Sequence, residues 1–518
     1  MRKIFNIYLL VLVSCVLFCS CNDWLNLLPK NEQVTDDYWK SKEDVEAVVA
    51  SGYYYMREAA SDLILWGELR GASIYAYSKT ESINLQNFQL TGSEKISSWS
   101  TVYSVINMAN SVIAYAPEVQ EMDETYTVGA MNAHLSEAYF MRGLMYFYLV
   151  RNYKEVPLIT IPYIDDSSSF WVEKSDEDVI IAQIKADIIT ALESDGAKEF
   201  YDDDEWNGAS KGRVTKWALY ALMAEVSLWS EDYTKCIEYA NLLINATATR
   251  RPAFMSIAEQ WFTLFNPGNS NESIFELNWN SSSFQQTSGS PSNFFTVATT
   301  AELQYTTTMK DRLIAENMEA LLAGKEPIRG SLGSYVLMGV DIETAIACIW
   351  KYTGTEVKDA NVTRTTKDAN WIIYRMADVM LMKAEALIWK DVTGWQEAID
   401  IVNTIRRRAN LDDLDVAIAE MNEEDMLNLL LNERDMEFAA EGKRWYDLVR
   451  FGKSKDYKYK NSFITMMVDN NSTANDSWIR SVLQNNYAWY LPIYQDELET
   501  NRLLEQNPYY GVTSGKKN

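Results

Sequence analysis

The chain has 518 residues, with 47 Lys and Arg against 73 Asp and Glu, a formal net charge of -26 at pH 7. That excess of acid excludes phosphate backbones as partners, since nucleic-acid binding needs a basic face, and suits neutral or basic ligands. One histidine, His134, and five cysteines leave little material for histidine-based zinc sites, a Ser-His-Asp relay or a disulfide scaffold.

At the start of the chain, Arg2 and Lys3 precede an apolar run from Ile7 to Cys19, and polar Asn22 and Asp23 follow it. A bilayer-spanning helix takes about 20 apolar residues, so this shorter run reads as a cleaved leader over residues 1–20. Ser20 before Cys21 resembles a bacterial lipobox, in which the thiol is acylated and the cysteine becomes the mature N-terminus, anchoring the protein by lipid. Cys19 is the competing position, and an ordinary secretory leader the competing reading. Without the leader, Cys236 and Cys348 are the thiols left beside the lipidated one, and their apolar surroundings make them core residues.

From 21 to 518 no linker or low-complexity stretch divides the chain, so a single, mainly α domain with inserted loops is expected. Helical periodicity appears in pairs. The first joins 43–56 to 98–115 across a long insertion, and the second joins 133–150 to 178–192. The third, at 214–244, carries Trp217, Tyr220, Ala221, Ala224 and Leu228, then a turn at Ser230-Glu231-Asp232, then Tyr233, Cys236, Ile237, Ala240 and Leu243. The fourth carries Tyr374, Ala377, Leu381, Ala384 and Leu387, then Trp395, Ala398, Ile401 and Ile405. Small alanines set against large aromatics let helices pack closely, as in tetratricopeptide repeats. Four pairs therefore predict a tetratricopeptide-like superhelix whose function sits on its irregular insertions.

Two insertions, near 66–98 and 261–300, are rich in aromatics and amides and poor in charge, and loops of that length in a compact protein usually carry a role. The acidic run at 202–205 lacks the spaced acids and glycine of an EF-hand, so it reads as a solvated loop.

Near the C-terminus, Glu433, Arg434, Glu437 and Glu441 recur at helical spacing before Gly442. The spacing predicts a helix ending at Gly442 with Arg444 and Asp447 turned back towards it. This stretch, 432–448, resembles the C-terminal signature of the SusD/RagB family, the glycan-binding lipoproteins of Gram-negative outer membranes. Other blocks resemble the family in the same order: Trp99, Tyr103, Ile106, Asn107 and Asn110; 137–142 with Tyr146, Phe147 and 156–158; 212–216; Arg375 with 384–386 and Arg406; and 491–493 with Asn507-Pro508. The chain departs at Tyr139 and Gly143, at Asp378 in place of a usual Glu, and at Ala72, where an Asp often follows Arg70-Gly71. Cys21-Asn22-Asp23-Trp24-Leu25 is similar to the family's mature start and favours Cys21 as the lipidated residue.

The resemblance implies a non-catalytic, cell-surface lipoprotein of the outer membrane, without a cofactor. It would capture an oligosaccharide or polysaccharide as the lid of a SusC-like TonB-dependent transporter. Sugar rings stack apolar C–H faces on aromatics while their hydroxyls pair with amides. Trp66, Tyr75, Tyr77, Trp279, Phe294 and Phe295 are therefore the expected platform, and Asn84, Gln86, Asn278 and Asn280 the expected rim. For each, packing its own loop is the competing role; Trp99, Trp217, Trp395 and Trp445 read as core. A glycoside hydrolase, a peptide-binding lid and a purely structural surface protein are the alternatives.

Overall fold

The computed structural model describes residues 38–164, 169–201, 211–357, 359–471 and 476–511. The leader, Cys21 and the acidic run at 202–205 lie outside them. Among the described residues no helix is long and apolar enough to cross a membrane.

Helix α1 (Lys42–Glu68) opens with the Asp44 carboxylate accepting from the Ser41 N–H at 2.8 Å, a capping box. Its buried stripe runs through Val45, Val49, Tyr53, Met56, Ala60 and Ile64 at spacings of three and four. The stripe does not stop at Met56, as the periodicity suggested, but carries the helix on to Glu68 and takes Trp66 out of the insertion. After the short α2 (Thr80–Gln86), α3 (Ser100–Met122) packs along α1 to complete the first pair. The second pair is α4 (Val128–Tyr153) with α5 (Glu177–Glu193), and the third α6 (Lys216–Trp229) with α7 (Tyr233–Ile244).

Short strands lie within the two insertions and in the segments outside the helical pairs. A four-stranded sheet has the order β1 (Ile74–Ala76), β5 (Leu303–Tyr305), β7 (Ile346–Ile349), β6 (Tyr335–Met338), and β2 (Val156–Pro157) pairs with β3 (Lys174–Ser175). Between them come β4 (Ser273–Leu277), the four-residue α8 (Ser281–Phe284) and α9 (Thr307–Leu322). Strand β4 pairs antiparallel with β8 (Trp371–Arg375), which runs directly into α10 (Met376–Lys390). Tyr374 therefore belongs to a buried strand and not to the fourth helical pair, because Trp371-Ile372-Ile373-Tyr374 is a β-branched and aromatic run covered on both faces. Helix α11 (Trp395–Arg408) completes that pair, and α7 packs on α10, so one hydrophobic core continues through all four pairs. Cys236 and Cys348 are buried free thiols within it, and His134 is buried against the Tyr126 hydroxyl at 2.9 Å.

Helix α12 (Glu423–Glu437) ends at Glu437, short of the Gly442 that the charge spacing indicated. The chain then turns through Ala440 (φ 66°) and Gly442 (φ 83°) before α13 (Arg444–Tyr457). The early stop lets α1 close onto the turn. A Cβ at Gly67 would lie 2.0 Å from the Gly442 carbonyl oxygen, so backbone meets backbone there. The signature charges are buried apart from Lys443, which is partly so. Glu437 faces Arg375, Arg408 and Arg329, Glu441 faces Arg375 and Lys351, and Arg434 binds Asp447 at 2.8 Å and Asp378 at 3.0 Å. Arg444 turns back to the Leu431 carbonyl at 3.0 Å. Helices α14 (Lys460–Asn470), α15 (Asp476–Leu483) and α16 (Gln495–Thr500) close the chain.

Candidate functional site

The two insertions are far apart in sequence and are joined by one antiparallel ladder. Ile74 lies opposite Tyr305, Tyr75 opposite Gln304 and Ala76 opposite Leu303. The ladder continues where the Tyr77 N–H donates to the Glu302 carbonyl at 2.8 Å, and the Glu302 carboxylate accepts from the Lys79 N–H at 2.8 Å and the Ser78 hydroxyl at 2.5 Å. Beyond this staple a cleft of about 600 Å³ opens, within the range of about 300–1,000 Å³ that small-ligand sites occupy.

Each wall comes from a different element. Helix α1 supplies Ser61, Asp62 and Leu65, and the approach to α2 supplies Lys79, Thr80, Glu81 and Ser82. The turn before α3 supplies Lys95, Ile96 and Ser98, the first turn of α3 Ser100 and Thr101, and the second insertion Phe294. The lining is thus rich in hydroxyls, charged at both signs and aromatic at one point, a surface suited to a polyhydroxylated ligand.

Burial and the neighbouring Glu81 push the Asp62 carboxyl up to about 6, with Lys95 opposing the rise. Among the described residues no protein donor binds that carboxylate. Glu81, by contrast, accepts the Lys95 N–H at 3.2 Å, and Glu94 accepts the Thr91 N–H at 2.8 Å and the Asn84 amide at 3.1 Å. A partly buried acceptor without a partner is a strong hydrogen-bond site for a ligand hydroxyl.

The structure corrects four of the expected contacts. Trp66 is 0% exposed: its indole N–H donates to the Ile96 carbonyl at 2.7 Å and its ring meets the edge of Tyr153 at 5.8 Å. It holds a wall of the cleft from behind and offers no face to a ligand. Trp279 is 6% exposed, follows buried strand β4 and donates to the Ser288 carbonyl. Phe295 is stacked on Tyr352 at 5.2 Å inside the core. The Gln86 side-chain oxygen is buried and accepts the Ala76 N–H at 2.8 Å. In each case the side chain is spent on packing within the body.

The other expected residues keep solvent-facing surface in varying degree. Phe294 lines the cleft, Tyr75 is half-buried on β1, and Tyr77 is 48% exposed just past it. Asn84 steadies Glu94, Asn278 donates to Asn269 at 3.2 Å, and Asn280 caps α8 by accepting the Ser283 N–H at 2.8 Å. Periodicity alone missed Asp62, Lys79 and Lys95. The signal for Asp62 was present: it sits on α1 off the apolar stripe, next to the insertion.

Comparison with known proteins agrees with this architecture. Residues 23–228 match the family described as starch-binding associating with outer membrane, and residues 345–510 match the SusD family. SusD-like protein P38 of Formosa agariphila is 26% identical, with 98% of this chain and 100% of that protein aligned. A SusD-like protein of Bacteroides ovatus is 25% identical over 88% of this chain and 84% of its own length. Among solved structures, a SusD superfamily protein from Bacteroides thetaiotaomicron superposes with a TM-score of 0.71 at 21% identity, covering 91% of this chain and 99% of that one. A laminarin-binding SusD-like protein superposes with a TM-score of 0.67 at 21% identity, covering 91% and 100%. Profiles matching towards both ends of the chain, relatives aligned along nearly its whole length and solved members with the same fold agree: this chain belongs to the SusD/RagB family.

Proposed function

We propose that this protein is a non-catalytic glycan-binding lipoprotein of the outer membrane, a single domain anchored through Cys21, that captures an oligosaccharide or polysaccharide as the lid of a SusC-like TonB-dependent transporter. The observation that carries the reading is the cleft of about 600 Å³ at which both insertions meet the N-terminal helices. Its hydroxyls, lysines and unpartnered Asp62 supply hydrogen bonds to sugar hydroxyls, and Phe294, with Tyr75 and Tyr77 on the β1 side, supplies aromatic surface for C–H faces. The laminarin-binding relative and the starch-binding family description support a saccharide as cargo.

Affinity electrophoresis of the protein without its leader, in gels containing laminarin, starch, xylan, mannan or pectin, tests this. At least one polysaccharide is expected to retard the protein. Phe294→Ala and Lys95→Ala are each expected to weaken that retardation about tenfold, the loss of one aromatic or charge-assisted contact of ~1.4 kcal/mol. No retardation in any gel contradicts glycan capture and favours peptide cargo.

Asp62 adds a pH dependence with a definite sign. Below 6 its carboxyl is protonated; above 6 it is a carboxylate that accepts ligand hydroxyls more strongly. Binding is therefore expected to strengthen as pH rises across about one unit on either side of 6, and Asp62→Asn should flatten the profile. A rise that survives in Asp62→Asn would assign it to another group.

One observation favours a second reading. Asp62, raised to about 6, lines the same cleft as Glu81, and two carboxyl groups in one cleft are what a glycoside hydrolase uses. Release of reducing ends from the retarding polysaccharide, lost in Asp62→Asn, would establish the enzyme; retardation without release supports the binding protein.

A further inference from the structure

A second cavity, of about 180 Å³, opens beside the first at the N-terminal turn of α3. Ser100 lines both, so the two adjoin across the Trp99–Thr101 turn. The walls differ in kind. The first cleft is lined by hydroxyls and charge, whereas the second is aromatic. Tyr163 and Phe170 stand with ring centroids 5.2 Å apart and planes inclined by 34°, and Phe170 is 46% exposed. Trp99 and Tyr103, 5.7 Å apart edge to face, contribute from α3.

The polar groups of this cavity divide into two sets. Asn107 donates to the Tyr163 carbonyl at 3.0 Å and accepts its N–H at 2.7 Å, while Asn110 donates to the Ile159 and Ile161 carbonyls at 3.1 Å each. These amides are consumed in holding the aromatic wall against α3. Glu497, from α16, is different: it accepts the Ser98 hydroxyl at 3.2 Å and a hydrogen bond from the Trp99 side chain, and although burial raises its pKa, its two oxygens keep further acceptor capacity towards the cavity. Ser98 lines the first cleft, so one hydroxyl links the acidic group of the second cavity to the wall of the first.

An aromatic wall with one carboxylate acceptor is the complement of a pyranose ring, whose C–H faces stack and whose hydroxyls donate. The volume is below the range of about 300–1,000 Å³ typical of a whole ligand, which suits one ring of a longer chain. The carboxylate and the net charge of -26 disfavour an acidic sugar. We propose that this cavity is a second saccharide subsite, taking one neutral pyranose ring of a glycan whose neighbouring residues occupy the first cleft. The proposal rests on the glycan-binding reading above, and it makes the binding surface continuous over the Trp99–Thr101 turn.

The test compares the parent with Phe170→Ala, Glu497→Gln and, as a control for loss of an exposed apolar side chain elsewhere, Leu322→Ala, at 82% exposure on α9. All four are run in the laminarin, starch, xylan, mannan and pectin gels. They are then titrated calorimetrically with size-fractionated fragments of whichever polymer retards the parent. Phe170→Ala is expected to weaken binding of the polymer and long fragments about tenfold, equal to ~1.4 kcal/mol, while the shortest fragment the parent binds keeps its affinity. Glu497→Gln should show the same dependence on length, and Leu322→Ala none. Thermal unfolding of Phe170→Ala at the parent's temperature excludes misfolding as the cause. Polymer binding unchanged in Phe170→Ala, or an equal loss at every length, overturns the subsite and leaves the first cleft standing. A parent retarded in no gel overturns the glycan reading and this subsite with it.

Discussion

Glu437→Ala is expected to remove ~3–5 kcal/mol of stability, the cost of breaking a buried charge cluster from one side. Glu437 Oε1 accepts from Arg375 Nη1 at 2.6 Å and from Arg408 Nη2, and Oε2 accepts from Arg329 Nη1 at 3.0 Å, all with fully buried side chains. Truncation leaves three guanidinium groups converging on a cavity. Glu272, Glu433 and Glu441 remain, but each is already engaged with one or more of them. The same three cations hold the Glu437 carboxyl well below the usual carboxylate range despite its burial. A carboxyl depressed in the folded state stabilises above its unfolded value of about 4.3 and loses that contribution as pH falls through the folded value, so neutral pH shows the full effect. Urea unfolding at pH 7 should give a lowered midpoint with an unchanged slope, and Glu437→Gln, which keeps the shape and loses the charge, should fall between. A Glu437→Ala protein within about 1 kcal/mol of the parent, the scale of an exposed ion pair, would show that the cluster is not a keystone of the fold.

Gly67→Ala is expected to prevent α1 from closing onto the signature turn and to leave little soluble protein. The added Cβ would lie 2.0 Å from the Gly442 oxygen and 2.5 Å from its carbonyl carbon, and neither atom belongs to a side chain that could swing away. Gly442 is itself committed, at φ 83° and with its N–H donated to the Glu68 carboxyl oxygen at 2.5 Å. Relief therefore requires α1 to move, and α1 carries Asp62 and Leu65 of the cleft. Gly129→Ala is the matched control: in α4, with nothing within 4 Å of the added atom, it should be neutral or stabilise by up to about 0.5–1 kcal/mol through helix propensity. Soluble yield and melting temperature of the two variants decide the matter, and a Gly67→Ala protein that melts with the parent would contradict the close approach.

The helical scaffold was legible because its signal is local. The alternation of Ala221, Ala224 and Ala240 with Trp217, Tyr220 and Tyr233 marks two helices that must pack closely, and α6 and α7 form where it predicts. Element ends were less legible. After Met56 come Arg57 and Glu58, which suggest the end of a helix, yet no breaker follows until Gly67, so the apolar stripe continues and buries Trp66. Trp279 was misread for the complementary reason. Strand β4 is covered on both faces and shows no alternation, so its following residues looked like an open aromatic loop. The cleft itself depends on the β1 and β5 pairing between residues 74–76 and 303–305, and on Lys95 and Phe294 arriving from separate segments. A long-range register of that kind leaves no mark in one sequence, which is why the meeting of Asp62, Lys95 and Phe294 in one cleft was not legible.

Hydrogen-deuterium exchange of the whole chain, with and without the polysaccharide that retards it, shows whether the glycan sits in the cleft between the insertions, because it locates the ligand without altering any residue. Protection gained on binding is expected to concentrate in 79–82, 95–101 and the segment around Phe294, the walls of the cleft at which the insertions meet. Protection gained instead over α9, or over α11 and the residues that follow it, with those segments unchanged, would place the ligand on the scaffold and rule out the cleft as its site.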